Sequence, residues 1–198
     1  MAKRNPKRNK KTRDRNTFSL KTFGINWKDR YPILRYLAGF ILLLILFYGI
    51  YISPFFEAYI LGPFLNLQTD ISSFILNIFG MGTSGEGTTL AGQETTLNVA
   101  KGCDGLEASA LYLIAVLLMP FSWRSKALGL LAGAAVLFVL NILRIVGLYL
   151  VMIYWPSAFE PLHIHGGFAL FTIVAILLWV TWAGWAMRKE KKTTDVSG

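Results

Sequence analysis

The chain has 198 residues, 54% of them apolar, and its mean hydropathy is positive. The formal charge of +9 lies at the two ends: residues 1–35 carry 12 Lys or Arg against 2 acidic residues, residues 188–198 carry 4 against 2, and residues 36–187 carry 4 against 7. This argues against a compact soluble enzyme, a DNA-binding domain or a disulfide-stapled secreted domain, and indicates a polytopic membrane protein with basic cytoplasmic segments.

The basic arm, residues 1–35, precedes the first predicted span. It is too charged to pack, and we expect it to be disordered. Residues 36–52 carry no charge and end at Ser53-Pro54, which predicts a transmembrane helix of about 17 residues that is retained as a signal anchor. We expect the arm to contact lipid headgroups rather than nucleic acid, because it has few aromatic residues and no folded reading element.

The next segment, Phe55–Gly82, is only partly apolar. It predicts an amphipathic interfacial or re-entrant pair of helices on the outer face, broken at Gly62-Pro63. Residues 88–92 and 95–99 predict two short strands around a turn, which form a small extracytoplasmic β-hairpin. The spacing Gly-x-Gly-x-x-Gly that begins at Gly80 does not predict a dinucleotide site, because no buried strand precedes it and no helix follows.

Three more apolar stretches, residues 106–120, 127–153 and 168–187, predict further spans. The short turn 122–126 and the tail 188–192 are basic, so the positive-inside rule places both in the cytoplasm together with the N-terminal arm. The sequence therefore predicts an all-α integral membrane protein of about four transmembrane helices, with a membrane body at residues 36–187, a basic cytoplasmic tail at residues 188–198 and both termini inside. We expect this tail, like the arm, to be solvated and disordered.

Four polar side chains fall on the outer side of the predicted membrane body. Cys103, the single cysteine, precedes the second span, and it excludes intramolecular disulfides and a Cys-only metal cluster. Arg144 lies about 18 residues into the third span, which is about 27 Å from its inner end. His163 and His165 follow in the next outer loop. Three segments remote in sequence are therefore expected to bring a thiol, a guanidinium and an imidazole to one membrane face.

This combination predicts acyl transfer through a thioester. A thiol at a helix N-terminus has its thiolate favoured by the helix dipole and by a nearby imidazolium, so Cys103 can attack a carbonyl. An imidazole can accept the thiol proton and return it to a leaving amine. Arginine is always charged and can stabilise an oxyanion or hold a substrate carbonyl or carboxylate.

Two further residues are candidates for supporting roles. Asn141 lies three residues before Arg144 and can orient its guanidinium, while Glu107 is the expected counter-charge of Arg144. Structural interpretations stay open: the cysteine as a small buried hydrophobe, the arginine as a snorkelling or paired residue, and the histidines as interfacial hydrogen-bonding groups. The two histidines alone offer only two ligands, so we expect no metal site, and we expect no cofactor.

Four stretches carry a family resemblance: Gly102–Ala108, Ser122–Arg124, Asn141–Val146 and Ala158–His163. In this order and spacing they resemble the exosortase/archaeosortase family, most closely its exosortase H branch, over residues 36–187. By position, Cys103 matches the family's nucleophile, Arg144 the arginine of its Asn-x-x-Arg motif, and His163 the histidine after the third span, with His165 as the alternative. The family commonly has an aromatic residue, often Trp, a few residues past that histidine, where this chain has Gly166-Gly167-Phe168.

The resemblance implies a membrane-embedded cysteine protease or transpeptidase. Its substrates are exported proteins with a C-terminal sorting signal, made of a short motif, a hydrophobic helix and a basic cluster. It cleaves them at the outer, periplasmic face of the bacterial cytoplasmic membrane. The alternative is a non-enzymatic membrane module, such as a small transporter or an assembly subunit, in which Cys103 is dispensable. Whether water or an amine resolves the thioester stays open.

Overall fold

The computed structural model describes residues 27–163 and 167–197, and most of them are helical. The helices are α1 (Trp27–Tyr51), α2 (Pro54–Phe56), α3 (Gly62–Ile78), α4 (Leu106–Leu118), α5 (Trp123–Tyr154), α6 (Pro156–Pro161) and α7 (Gly167–Ser197), and a π-helical turn, Glu57–Leu61, joins α2 to α3. Three short strands, β1 (Ser84–Glu86), β2 (Thr89–Ala91) and β3 (Thr96–Asn98), lie between α3 and α4. The mostly helical class predicted from the sequence is confirmed.

Three of the helices are long and apolar enough to cross a membrane, over Ile33–Tyr51, Trp123–Tyr154 and Ala169–Lys192. Helix α4 is apolar but has only 13 residues, which is about 20 Å against a hydrocarbon core of about 30 Å. It packs against α1, α5 and α7, so other helices rather than lipid surround much of it. Within residues 27–163 and 167–197, three candidate membrane helices are therefore present, and the fourth span stays a prediction.

Both predicted terminal segments contain helix where disorder was expected. Helix α1 begins at Trp27, inside the predicted arm, and α7 continues through the tail to Ser197; residues 1–26 lie outside the described residues. Between Arg188 and Ser197 the chain has no Gly or Pro. Lys, Arg and Glu are good helix formers, so the apolar helix extends past its membrane segment.

The segment 54–78 is one continuous helical stretch and not the predicted pair of helices broken at Gly62-Pro63. Gly62 itself is helical, with φ −55° and ψ −57°, and its N–H donates to the carbonyl of Glu57, five residues back. A proline inside an α-helix lacks a donor and clashes with the carbonyl four residues before it. The wider π-helical turn gives Pro63 room, and so the helix continues through it.

The predicted hairpin is present, and a third strand extends it. Strand β2 pairs antiparallel with β3, and β1 pairs antiparallel with β2, in the order β1-β2-β3. The opposed Leu90 and Leu97 are buried. In β1, a Cβ on Gly85 would collide with the Asp70 side chain of α3, so this strand needs glycine to lie against the helix. Such a strand has no apolar alternation for sequence reasoning to detect.

Two apolar cores stabilise the chain. The sheet-side core joins the sheet, α3, the C-terminal half of α5 and Cys103, and it comprises Leu61, Leu65, Leu76, Leu90, Leu97, Val99, Cys103, Ile145, Val146, Leu148 and Tyr149. The bundle core joins α4, α5 and α7, and it comprises Ala108, Tyr112, Val116, Leu137, Phe171, Ala175, Trp182, Ala183 and Ala186. Cys103 therefore lies on the side of the molecule that carries the sheet.

The basic residues that the structure describes at the starts of α1 and α5 and near the end of α7 lie at the opposite end of the bundle. There the Lys126 ammonium donates to the carbonyl of Leu117 at 2.8 Å, which neutralises the negative end of α4. The Glu190 carboxylate of α7 accepts a hydrogen bond from the N–H of Ser122. Helix α1 runs antiparallel to α4, since Gly39 lies near Leu118, so its basic N-terminal half is also at this end.

Candidate active site

Cys103 lies in a tight loop between β3 and α4. Its N–H donates to the carbonyl of Ala100 at 2.9 Å, and glycines with positive φ stand on both sides, Gly102 at 90° and Gly105 at 74°. Glycine adopts these left-handed conformations without strain, so the chain can fold back sharply around the cysteine. The Cys103 residue is only 9% exposed. The predicted nucleophile is therefore largely buried.

Asp104 holds this loop together from inside. Its carboxylate accepts hydrogen bonds from the N–H of Leu106 at 2.7 Å, the N–H of Gly102 at 3.2 Å and the hydroxyl of Tyr51 at 2.7 Å. Burial of a carboxylate is costly without such donors. Asp104 was given no role from the sequence, although an aspartate that bonds N–H groups in a glycine-rich turn is a common local signal. The hydroxyl of Tyr51 also attaches the loop to the end of α1.

The structure brings Cys103, Arg144 and His163 together. The Cys103 Sγ lies 3.5 Å from Nδ1 and 3.6 Å from Nε2 of His163, and 3.9 Å from Nη2 of Arg144. His163 lies two residues after the end of α6, and its ring stacks on Phe159, with centroids 5.3 Å apart and planes 9° apart. The thiol, the imidazole and the guanidinium thus come from three separate elements, as the sequence predicts. His165 lies outside the described residues.

Burial controls the protonation of this site. It raises the pKa of the Cys103 thiol; the Arg144 guanidinium opposes that rise and the Asp104 carboxylate adds to it. Burial also lowers the pKa of His163, and Arg144 lowers it further. The sequence favours a thiolate stabilised by the helix dipole, but loss of solvent outweighs that effect here. Both shifts favour the uncharged forms, a thiol on Cys103 and a neutral imidazole on His163.

Arg144 does not form the expected ion pair with Glu107. No salt bridge of 4.0 Å or less joins the two side chains, although both line one small cleft beside the Cys103 loop. The Arg144 Nε is buried without a partner among the described residues. A Cβ on Gly167 would lie 2.7 Å from Nε and Nη2, so this glycine lets α7 begin directly against the guanidinium. Sequence reasoning missed Gly167 because its role depends on that contact.

Asn141 makes different contacts from those predicted. Its Nδ2 donates to the carbonyl of Cys103 at 2.9 Å and to Oε1 of Gln68 at 3.1 Å, instead of orienting Arg144. Gln68 is fully buried on α3 and was given no role from the sequence. Sequence alone does not distinguish it from the other amides of α3, Asn66 and Asn77, because only its burial requires that it find hydrogen-bonding partners.

The family model of transmembrane exosortase (Exosortase_EpsH) matches residues 32–180. The chain belongs to the transmembrane exosortase family. The match includes the Cys103 loop, all of α5 and the segment that carries His163, so the family predicted from four short stretches is confirmed. Comparisons with curated proteins and with solved structures find no match.

Proposed function

We propose that this exosortase-family protein is a membrane cysteine peptidase or transpeptidase. It cleaves the C-terminal sorting signal of exported proteins through a thioester on Cys103. The observation that carries the proposal is the position of the single cysteine, which lies within 4 Å of an imidazole and of an arginine. A buried structural cysteine needs neither neighbour, whereas acyl transfer needs a proton acceptor and a group that binds the developing oxyanion.

The first half of the reaction forms the thioester. The Cys103 sulfur attacks the scissile carbonyl carbon while a ring nitrogen of His163 takes the thiol proton. The raised pKa of the thiol and the lowered pKa of the imidazole both favour this transfer from a thiol to a neutral imidazole. The carbonyl oxygen becomes an oxyanion, and the Arg144 guanidinium donates hydrogen bonds to it. When the tetrahedral intermediate collapses, the C–N bond breaks and His163 returns its proton to the leaving amine.

The second half releases the product. A nucleophile attacks the thioester, His163 takes its proton, the carbon–sulfur bond breaks and the proton returns to Cys103. Water gives a shortened free protein, and an amine gives a protein joined to a new group. The proposal includes both outcomes, which differ only in the acceptor.

The arrangement of charge supports a periplasmic site. The basic starts of α1 and α5 and the basic final turns of α7 lie at the end of the bundle opposite Cys103. Segments rich in Lys and Arg stay in the cytoplasm. We therefore place the protein in the bacterial cytoplasmic membrane with four spans, both termini inside and Cys103 outside. Anionic headgroups would then meet the basic end.

The deciding experiment is co-expression with an exported protein that carries a candidate sorting signal. Wild type should shorten this substrate, and Cys103→Ala should leave it full length at a similar membrane level, because a small thiol contributes little packing. A mass shift of the product distinguishes hydrolysis from amine transfer. Normal maturation with Cys103→Ala would instead favour the non-enzymatic membrane module and refute the nucleophile.

A further inference from the structure

Two buried amides lie directly behind the Cys103 loop and hold two consecutive carbonyls. Gln68 and Asn141 are 0% and 1% exposed. Asn141 Nδ2 donates to the carbonyl of Cys103 and to Oε1 of Gln68, and Gln68 Nε2 donates to the carbonyl of Asp104 at 3.0 Å. Both N–H groups of the Asn141 amide are thus used. Helix α5 therefore holds the Cys103 carbonyl and helix α3 the Asp104 carbonyl, and the hydrogen bond between the two amides links these contacts.

Holding these carbonyls fixes the two peptide planes that follow the sulfur-bearing residue. No described peptide bond is cis, so the N–H of Asp104 points away from the Cys103 carbonyl, and the N–H of Gly105 points away from the Asp104 carbonyl. Cys103, Gly102 and Leu106 already use their N–H groups within the loop. Across residues 27–163 and 167–197, the N–H groups of Asp104 and Gly105 have no acceptor.

We propose that Gln68 is a positioning residue for the acyl transfer described above, on whose existence this inference rests. With Asn141 it holds the two peptide groups after Cys103 so that the N–H groups of Asp104 and Gly105 stay available to the oxygen of the attacked acyl group. They would then act beside the Arg144 guanidinium, since two or more fixed donors are typical of sites that bind an oxyanion.

The chemistry of position 68 requires an amide. Its oxygen accepts from Asn141 while its nitrogen donates to Asp104, and glutamate or an apolar residue lacks one or both functions. The absence of a side chain at Gly105 also leaves room for the Asn141 amide. A Cβ there would lie 2.9 Å from Cγ of Asn141, so only glycine lets this amide approach the loop.

The single cysteine supplies a test that needs no substrate, because alkylation of the purified full chain reports on Cys103 alone. The main variant is Gln68→Met, which keeps the side-chain length and removes both hydrogen-bonding functions. Gln68→Glu is the second variant, since it keeps the acceptor and loses only the donor. The matched control is Ser72→Ala, one turn further along α3, where the hydroxyl is fully buried and has no partner among the described residues.

In Gln68→Met we expect the loop to loosen. Iodoacetamide should alkylate Cys103 several-fold faster at pH 8, and the pH midpoint of alkylation should fall towards that of a free thiol as burial relaxes. None of the variants substitutes Arg144, His163 or Asp104. Processing of a co-expressed substrate should drop about 10- to 100-fold in Gln68→Met and in Gln68→Glu, the magnitude of losing part of an oxyanion site. Ser72→Ala should stay within twofold of wild type in both measurements.

Two results would overturn the positioning role. One is an unchanged alkylation rate and midpoint in folded Gln68→Met, and the other is wild-type processing by Gln68→Glu. A lower melting temperature without a change of alkylation midpoint would show a merely structural role. If wild type processes no substrate while Gln68→Met still alters the alkylation of Cys103, the proposed peptidase function is refuted. The conclusion that Gln68 restrains the Cys103 loop is then still supported.

Discussion

At the scale of single residues, the charge of Arg144 is the most informative feature of the site. Its guanidinium lies between the Cys103 sulfur and the start of α7, and Glu107 does not pair with it. A cation whose Nε is buried without a partner among the described residues is costly, so we expect a functional role that offsets this cost. In the proposed reaction that role is to bind the oxyanion, which forms only when the substrate is attacked.

We therefore expect Arg144→Lys to keep the fold and to lose about 10²- to 10³-fold of processing, because an ammonium cannot offer the two parallel donors of a guanidinium. The double variant Arg144→Met/Glu107→Gln restores charge balance but supplies no donor, so it should stay inactive. Both are measured as processed substrate at equal membrane level. Activity near wild type in either variant would make Arg144 a structural residue.

His163 gives a second prediction at this scale. Removing a general acid or base costs about 10²- to 10⁴-fold, so His163→Ala should abolish processing while His165→Ala only weakens it. Only neutral imidazole accepts a proton. Since burial and Arg144 lower the pKa of His163, the acid limb of the pH profile should have its midpoint below the ordinary histidine value of about 6.5. The reverse ranking of the two variants would transfer the role to His165.

The sequence was sufficient to nominate Cys103, Arg144 and His163, because reactive side chains are rare in apolar segments, the predicted spans place all three towards one membrane face, and each matches a motif of the family. It did not reveal Asp104, Gln68 or Gly167 as parts of the site. Their importance depends on which backbone groups lie behind the loop, and no periodicity or spacing records that. For the same reason the sequence assigned Asn141 and Glu107 to Arg144, the nearest charge in the predicted arrangement.

At the scale of elements, glycines determine how closely the helices approach. Gly129 and Gly133 are one turn apart on α5, and each receives an aromatic ring: Trp182 of α7 over Gly129 and Tyr112 of α4 over Gly133. Small residues with this spacing often join helices of two chains. Here the rings fill the groove, and Trp182 and Tyr112 also donate to the carbonyls of Ser125 and Gly129 at 3.1 Å and 3.0 Å.

We expect Gly133→Ala to destabilise the protein by about 1–3 kcal/mol, because the new methyl group would overlap the Tyr112 ring in a packed core. The control is Gly147→Ala on the same helix, where no atom lies within 4 Å of the added Cβ. It should be neutral or slightly stabilising, since alanine favours helix. Thermal unfolding in detergent compares the two. Equal melting temperatures for both variants would contradict the packing account.

At the scale of the whole molecule, helix direction and charge agree. Helices α1 and α5 run from the basic end towards Cys103, while α4 and α7 run back. A bundle with three crossings would put the arm and the tail on opposite sides of the membrane, yet the structure keeps the basic turn after α4 next to the basic end of α7. An even number of membrane-crossing helices puts the basic arm, the basic turn after α4 and the basic end of α7 on one side of the membrane. This agrees with the contact between that turn and α7 and with the positive-inside rule.

This argument gives a topology that can be measured directly. A reporter fused after Gly87, in the turn between β1 and β2, should be active on the periplasmic side, and the same reporter fused after Gly198 should be active in the cytoplasm. A thiol reagent that cannot cross the membrane should reach Cys103 slowly from outside, because the residue is 9% exposed, and should not react with Cys103→Ala. If both fusions report the same compartment, the four-span arrangement is wrong. In that case α4, with only 13 residues, is the helix that does not cross.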